Sequence, residues 1–228
     1  MTQGQAVQAQ APTGAPRVAM LGGTFDPVHL GHLRSAVELR ELLNLDRVHM
    51  VPARLPLLRN SPQVSARQRL ALLQLGIGDT PGLIADGREL EREGPSYSAD
   101  TLASLRDEYG ADARLIMALG HDAFLRLTEW HAPRRLFELA HLVIIERPDH
   151  QALLSTALRE LIAGREVDSP ESLMQRPAGS LLRVALATRM AVSATGIRQR
   201  LAAGQSVRYL LPEAVETRIM QASLYQRH

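Results

Sequence analysis

The chain has 228 residues, a formal net charge of +2, no cysteine and no lysine, so that all 26 basic residues are arginine. This length suits one sizeable α/β domain. The small net charge gives no strong case for nucleic-acid or membrane partners, and no apolar stretch is long enough to cross a bilayer. The missing cysteine excludes thiolate chemistry and fits a reducing compartment, so we predict a cytoplasmic protein. The missing lysine excludes Schiff-base chemistry and a phosphate-loop lysine.

The first 16 residues differ in composition from the rest of the chain. They are rich in Gln, Ala, Gly and Pro and carry no charged side chain. They also lack the basic region and apolar core of a signal peptide. We therefore predict a disordered tail over residues 1–16 and a single domain over residues 17–228.

From residue 17 onward, short apolar runs alternate with amphipathic segments. The runs predict strands at 18–21, 47–51, 83–85, 115–119, 142–145 and 182–187. Helices are predicted after residue 31, at 65–76, from about 98 to 110, from 122, at 133–140 and 150–164, and from about 194 and 212. Residues 89–94 are predicted as a charged connection and 165–180 as a loop. This alternation predicts an α/β fold with a doubly wound, mostly parallel, Rossmann-like sheet.

The turn after the first strand has the strongest motif in the chain, Gly22-Gly23-Thr24-Phe25-Asp26-Pro27-Val28-His29-Leu30-Gly31-His32. A ligand of an open α/β sheet binds beyond the carboxyl end of such a strand. Gly22 and Gly23 would let a phosphate approach the backbone, and the helix opening near Gly31 would present free N–H groups to an anion. His29 and His32 add two imidazoles, which suits a polyphosphate whose charge must be spread during reaction. The alternative is a glycine turn with a core histidine, which a single histidine would favour.

This run resembles the His-x-Gly-His signature of nucleotidyltransferases and, in its full length, that of bacterial nicotinate-nucleotide adenylyltransferases. The resemblance implies the sheet of that superfamily and the transfer of AMP from ATP to nicotinate mononucleotide, with Mg2+ accompanying the ATP. No side chain is assigned as a metal ligand. Within the run, the resemblance implies ATP-binding residues and two catalytic histidines: Gly22, Gly23, Thr24 and Phe25, with His29 and His32.

A second motif, Ser193-Ala194-Thr195-Gly196-Ile197-Arg198, follows the last predicted strand. Ser193 is a good helix N-cap, the N–H groups beside Thr195 form an anion nest, and Arg198 can bond phosphate oxygens. The alternative is a capped surface helix with a solvated arginine. The stretch resembles the family's Ile-Ser-Ser-Thr-x-Ile-Arg, which holds the β- and γ-phosphates of ATP. The resemblance implies that Ser193, Thr195 and Ile197 bind ATP and that Arg198 is catalytic.

Gly120-His121-Asp122 follows the buried run 115–119. By itself, Asp122 would be explained as a helix N-cap. The family has a Gly-x-Asp at this place, and its aspartate contacts the adenosine ribose. The resemblance therefore implies that Gly120 and Asp122 bind ATP.

The acceptor side is predicted from two further segments. Pro95-Ser96-Tyr97-Ser98-Ala99-Asp100-Thr101-Leu102 resembles the family's Pro-Ser-Tyr-Thr-x-Asp-Thr-Leu, which helps to frame the nicotinate carboxylate. Trp130 is the only tryptophan, and in the family a tryptophan here stacks on the pyridine ring. The resemblance implies that Ser96, Tyr97, Ser98 and Trp130 bind the mononucleotide. Without it, a packed aromatic residue and a helix cap would explain these side chains.

One segment departs from the family pattern. Pro56-Leu57-Leu58-Arg59 stands where the family has Pro-Pro-His-Lys or a close variant. Arg59 can replace the basic residue, but Leu58 cannot bond phosphate. Arg54 and Arg147 are other basic candidates near the sheet edge, and we predict that Arg59 and Arg147 bind the mononucleotide.

Two alternative functions stay open at this point. One is an adenylyltransferase for a different acceptor, such as the amide nicotinamide mononucleotide. The other is a nucleotide-binding regulator that has lost turnover, which only Leu58 supports. A dinucleotide oxidoreductase is disfavoured because the first turn lacks Gly-x-Gly-x-x-Gly. The sequence leaves the oligomeric state open.

Overall fold

The computed structural model describes residues 14–55, 61–146, 153–188 and 190–226. The predicted tail lies mostly outside this part of the chain. Leu58, Arg59 and Arg147 also lie outside the described residues, so their predicted roles stay predictions. None of the described helices is both long enough and apolar enough to span a membrane.

Seven strands and ten α-helices alternate within the described residues. The strands are β1 (Arg17–Gly23), β2 (Arg47–Pro52), β3 (Leu83–Ala85), β4 (Arg114–Gly120), β5 (His141–Ile145), β6 (Glu166–Val167) and β7 (Leu181–Val184). The helices are α1 (Leu30–Leu42), α2 (Ala66–Ile77), α3 (Arg88–Glu91), α4 (Ser98–Tyr109), α5 (His121–Leu125), α6 (Pro133–Leu139), α7 (Thr156–Ile162), α8 (Pro170–Leu173), α9 (Ala194–Ala202) and α10 (Glu213–Gln221).

The seven strands form one sheet in the order β3-β2-β1-β4-β5-β7-β6, and every pair is parallel. The chain runs outward from β1 to β3, and then returns to the other side of β1 with β4. This reversal makes the gap between β1 and β4 a topological switch point, where open α/β sheets bind ligands beyond the carboxyl ends of the strands. The predicted doubly wound sheet is therefore confirmed.

Both faces of the sheet are covered by helices. In β4, Leu115, Met117 and Leu119 face the apolar cluster formed with α4, α6 and α7. Ile116 and Ala118 face the opposite cluster, formed with α1, α2, α9 and α10. Burial on both faces explains why this strand is a continuous apolar run rather than an alternating one.

The end of α2 was predicted at Gly76, but the helix continues to Ile77 and is followed by Gly78 at φ +51°. Gly76 lies inside the helix, at a place where other elements pack closely against it. A Cβ at this position would lie 3.2 Å from Val28 Cγ1 and 3.3 Å from Val215 Cγ2. The glycine therefore indicates a tight helix contact, not a helix stop.

Four other sequence boundaries were wrong. The predicted loop 165–180 contains the short strand β6. It also contains α8, which forms because Ser169 caps a helical turn that begins with Pro170. The predicted connection 89–94 overlaps α3. The helix predicted from residue 150 starts only after its N-cap Ser155, as far as the described residues reach. The last strand ends at Val184 rather than at residue 187.

Candidate active site

The prediction of a turn at Gly22 and Gly23 was wrong, because both residues belong to β1 and pair with β2. The chain leaves the sheet only after Gly23, where it meets the ring of Phe25. Phe25 is 2% exposed and has φ +48°. A Cβ on Gly23 would lie 2.9 Å from Phe25 Cζ, whereas one on Gly22 would make an ordinary contact with Met20 at 3.4 Å. A side chain at Gly23 would therefore collide with the phenyl ring of Phe25, which is a constraint that the sequence did not show.

His29 caps the N-terminus of α1. Its Nδ1 accepts a hydrogen bond from the His32 backbone N–H at 3.3 Å, and only 5% of the residue is exposed. Burial lowers the pKa of His29 to about 4, so the ring is neutral near pH 7. Because Nδ1 is an acceptor, the ring proton lies on Nε2, which makes Nε2–H the available donor.

The half-buried ring of His32 is held between two other rings. It stacks on His29 with 3.6 Å between centroids and an interplanar angle of 20°. The ring of Phe25 meets it edge-on at 5.1 Å. The structure therefore brings together the two histidines that the motif predicted as a pair, and it fixes the orientation of both.

The opening of α1 offers an anion fewer backbone donors than the sequence predicted. Leu30 N–H donates to the Leu210 carbonyl at 3.0 Å. His32 N–H and Leu33 N–H both donate to the His29 carbonyl. The expectation of free N–H groups was wrong at these three positions, because the His29 carbonyl accepts two of them and the Leu210 carbonyl accepts the third.

The depressed pKa of His29 predicts a specific pH dependence of stability. Between pH 6.5 and 4, the unfolded chain binds a proton at His29 that the folded protein does not, so stability falls as the pH is lowered through this window. His29→Asn keeps an N-cap acceptor but cannot titrate. We expect urea unfolding at pH 7, 6, 5 and 4 to show that the free energy of unfolding falls less with pH in the variant than in the wild type, by on the order of 2 kcal/mol. Parallel curves for the two proteins would contradict this assignment.

The second motif lies beside the first. Arg198 Nη1 donates to the Asp26 carbonyl at 2.6 Å, and Nη2 donates to Thr195 Oγ1 at 3.3 Å. Ser193 is the N-cap of α9, as predicted, and its hydroxyl accepts from Gly196 N–H at 3.1 Å. Thr195 is exposed and Ile197 is buried in the core. The arginine-bearing turn of α9 thus meets the turn between β1 and α1.

A buried carboxylate makes a second connection between these two regions. Both oxygens of Glu38, on α1, accept from the Thr188 backbone N–H at 3.1 Å. These bonds and the contact with Arg34 lower the pKa of Glu38 to about 2. Thr188, which lies between β7 and α9, is therefore bonded to α1.

Arg69 is a site-forming residue that sequence reasoning missed. It is 1% exposed, although it is an arginine on α2. Its guanidinium donates to the carbonyls of Thr24 and Ala53, each at 2.6 Å. It therefore braces the ends of β1 and β2 against each other. The available signal was its position four residues before Leu73, on the apolar face of the helix.

Asp26 was quoted in the motif but given no role. It is 4% exposed and accepts from Tyr225 O–H at 2.8 Å and from Gln63 N–H at 3.0 Å. Its Oδ2 also lies 3.8 Å from Arg198 Nη1. Asp26 thus connects four segments that are distant in sequence.

The carboxyl end of β4 carries the next predicted pair. Gly120, and not Asp122, is the N-cap of α5. The N-cap explanation of Asp122 was therefore wrong. Asp122 lies in the first turn of the helix and is exposed beside the switch point between β1 and β4. Asp122 therefore lies at the edge of the sheet where ligands of open α/β sheets bind.

The predicted acceptor residues gather at the start of α4 and around the 3-10 turn Leu127–Glu129. Tyr97 stacks on His131 with 4.1 Å between ring centroids, which the sequence did not predict. Ser96 accepts from Arg54 N–H at 2.9 Å and so joins this region to the end of β2. Trp130 is half-buried and packs on the α4 side of the sheet, while Ser98 is the first residue of α4.

Comparisons with known proteins agree with this geometry. The Cytidylyltransferase-like family matches residues 20–200. A probable nicotinate-nucleotide adenylyltransferase of Chromohalobacter salexigens is 69% identical over 92% of this chain and 95% of its own length. Its counterpart in Halorhodospira halophila is 48% identical over 91% and 94%. The solved structure of Plasmodium falciparum nicotinic acid mononucleotide adenylyltransferase complexed with NaAD superposes with a TM-score of 0.67. It is 15% identical and covers 92% of this chain and 97% of that one, which speaks for the fold.

Sequence family and sheet topology agree on the class of protein, which is a nucleotidyltransferase with a Rossmann-like sheet. The close relatives carry the assignment one step further, because each spans nearly the whole of both chains. The chain belongs to the nicotinate-nucleotide adenylyltransferase family.

Proposed function

We propose that this enzyme transfers AMP from ATP to nicotinate mononucleotide, giving deamido-NAD and pyrophosphate in NAD biosynthesis. The observation that carries the proposal is the contact between Arg198 and Asp26 at the switch point of the sheet. It joins the two motifs that the family uses for the triphosphate. Asp122, in the first turn of α5, is the side chain that we assign to the nucleoside, and the stacked rings of Tyr97 and His131 are the surface that we assign to the pyridine ring.

The reaction needs positioning and charge stabilisation more than proton transfer. The mononucleotide phosphate is already anionic, and it attacks the α-phosphorus of ATP in line. The new P–O bond forms as the bond to the bridging oxygen breaks, and that oxygen leaves on pyrophosphate. His32, Nε2–H of His29 and the guanidinium of Arg198 are the donors that we assign to the reacting phosphates. We assign the binding of ATP to Ser193, Thr195 and the segment from Gly22 to Phe25.

We further propose that Mg2+ arrives with ATP. Among residues 14–55, 61–146, 153–188 and 190–226, no group of three or more His, Cys, Asp or Glu side chains is arranged to hold a metal ion. The carboxylate of Asp26, in the β1–α1 turn, already accepts hydrogen bonds from Tyr225 and Gln63. Mg2+ held mainly by the triphosphate would neutralise charge on the leaving pyrophosphate.

A pyrophosphate-release assay with a panel of acceptors tests the proposed function. We expect release from ATP with nicotinate mononucleotide, and a kcat/KM for the acid about tenfold or more above that for nicotinamide mononucleotide. The reason is that donors placed for a carboxylate are left poorly paired by the amide. A higher kcat/KM for the amide would assign the enzyme to that acceptor. If neither acceptor led to pyrophosphate release, the result would favour the alternative function of a nucleotide-binding regulator that has lost turnover.

The single domain over residues 17–228 and the cytoplasmic location stay predictions from composition. The assignments of Gly120, Ser96, Ser98 and Trp130 also remain our proposals. Gly120 is the last residue of β4, whereas the other three lie around the start of α4 and after the 3-10 turn, and these positions are compatible with the roles that the resemblance implies.

A further inference from the structure

The C-terminal segment contributes a tyrosine to the back of the site. Tyr225 follows α10 and is 7% exposed, with φ +64°. Its hydroxyl donates to Asp26 Oδ1 at 2.8 Å in a buried bond. Burial and the neighbouring carboxylate raise the pKa of Tyr225, so its hydroxyl remains a donor at any pH at which the enzyme would work.

The bonds around Asp26 explain why Arg198 has its observed position. Tyr225 occupies one carboxylate oxygen, and Gln63 N–H occupies the other. Arg198 Nη1 bonds the backbone carbonyl of Asp26 at 2.6 Å, while its distance to the carboxylate is 3.8 Å. The arginine is therefore beside a carboxylate without forming a close ion pair with it.

We propose that Tyr225 is a positioning residue for Arg198. By occupying the Asp26 carboxylate, its hydroxyl keeps the guanidinium on the backbone carbonyl, where its charge is directed at the phosphates of ATP. This inference rests on the proposed function, since it assigns Arg198 to the triphosphate.

Loss of the hydroxyl would have a defined consequence. Tyr225→Phe leaves Asp26 Oδ1 buried without that donor, which is unfavourable. Arg69 also lies near this carboxylate but is held by the carbonyls of Thr24 and Ala53. A cavity of about 680 Å3 bordered by Thr195, Arg198 and Tyr225 gives the Arg198 side chain room to move. The guanidinium then closes onto the carboxylate, and its charge is neutralised before ATP binds.

The first test compares Tyr225→Phe with Tyr209→Phe. Tyr209 is 80% exposed and also has φ +64°, so the control makes the same chemical change on the same backbone conformation. For Tyr225→Phe we expect kcat/KM for ATP to fall about tenfold, with KM for nicotinate mononucleotide unchanged. The control should match the wild type. Equal kinetics for the two variants, or a lowered Tm with unchanged kinetics, would overturn the proposal.

A double-mutant cycle with Arg198 separates positioning from general packing. If Tyr225 acts through Arg198, then adding Tyr225→Phe to Arg198→Ala changes ATP affinity less than twofold. If Tyr225→Phe lowered ATP affinity by the same factor with Arg198→Ala as it does alone, the proposal would be overturned. ATP dissociation constants from calorimetry report on the cycle without turnover. The proposed function is tested separately, because its failure would show in the wild type as the absence of pyrophosphate release.

Discussion

His32→Ala is expected to lower kcat on the order of a hundredfold or more. The stacked pair and the edge of Phe25 hold the His32 ring in one orientation at the start of α1. A fixed donor that meets charge developing on a transferring phosphate stabilises the transition state more than the ground state. The loss should therefore appear mainly in kcat and only weakly in KM for ATP. Steady-state kinetics with nicotinate mononucleotide measure it.

Two features make this experiment decisive. The His32 ring is half-buried, so its removal costs less stability than removal of a core side chain, and thermal unfolding can verify this. Glu41→Ala is a suitable control on the same helix, because the Glu41 side chain is 61% exposed and lies more than two turns away. If His32→Ala turned over ATP at the rate of this control, His32 would have no role in the chemistry.

Arg198→Ala is expected to lower kcat/KM for ATP on the order of a hundredfold to a thousandfold. The substitution removes a charge from the proposed phosphate site and also breaks the bond to the Asp26 carbonyl, which joins the two motifs. Arg198→Lys should recover only part of the loss. A lysine keeps the charge but has no planar fork that can bond the Asp26 carbonyl and Thr195 together.

The control for this prediction is Arg200→Ala. Arg200 is an exposed arginine on the same helix, and it donates to the Ser206 carbonyl away from the β1–α1 turn. Assays should run well below the Tm of each variant, since the lost bond to Asp26 costs about 1 kcal/mol of stability. A kcat/KM for Arg198→Ala within threefold of that for Arg200→Ala would contradict a role in phosphate binding.

Local patterns predicted the sheet well, because each central strand is an apolar run buried on both faces. β6 could not be found this way, since Glu166–Val167 is a two-residue edge strand with a charged residue. The N-cap role of His29 was equally hidden, because histidine is not among the residues that favour this position. The end of α2 was misplaced because Gly76 makes room for Val28 and Val215, which pack against the helix, and does not stop it.

The candidate site was predictable where one segment carries the chemistry. The eleven-residue run places His29 and His32 together without any knowledge of the fold. The residues that support the site were not predictable, because their bonds join distant segments. The Arg69–Thr24 bond spans 45 positions, and although Arg69 lies on the apolar face of α2, its neighbours in sequence do not indicate which carbonyls it bonds.

The separations across Asp26 also bear on when the site forms. Its bonds to Arg198 and Tyr225 join residues 172 and 199 positions apart. Closing such long loops costs entropy that only the completed contacts repay. During synthesis the ribosome releases the first motif long before either partner exists. The proposed triphosphate site therefore cannot assemble until Arg198 and Tyr225 have left the ribosome, although the histidine pair emerges much earlier.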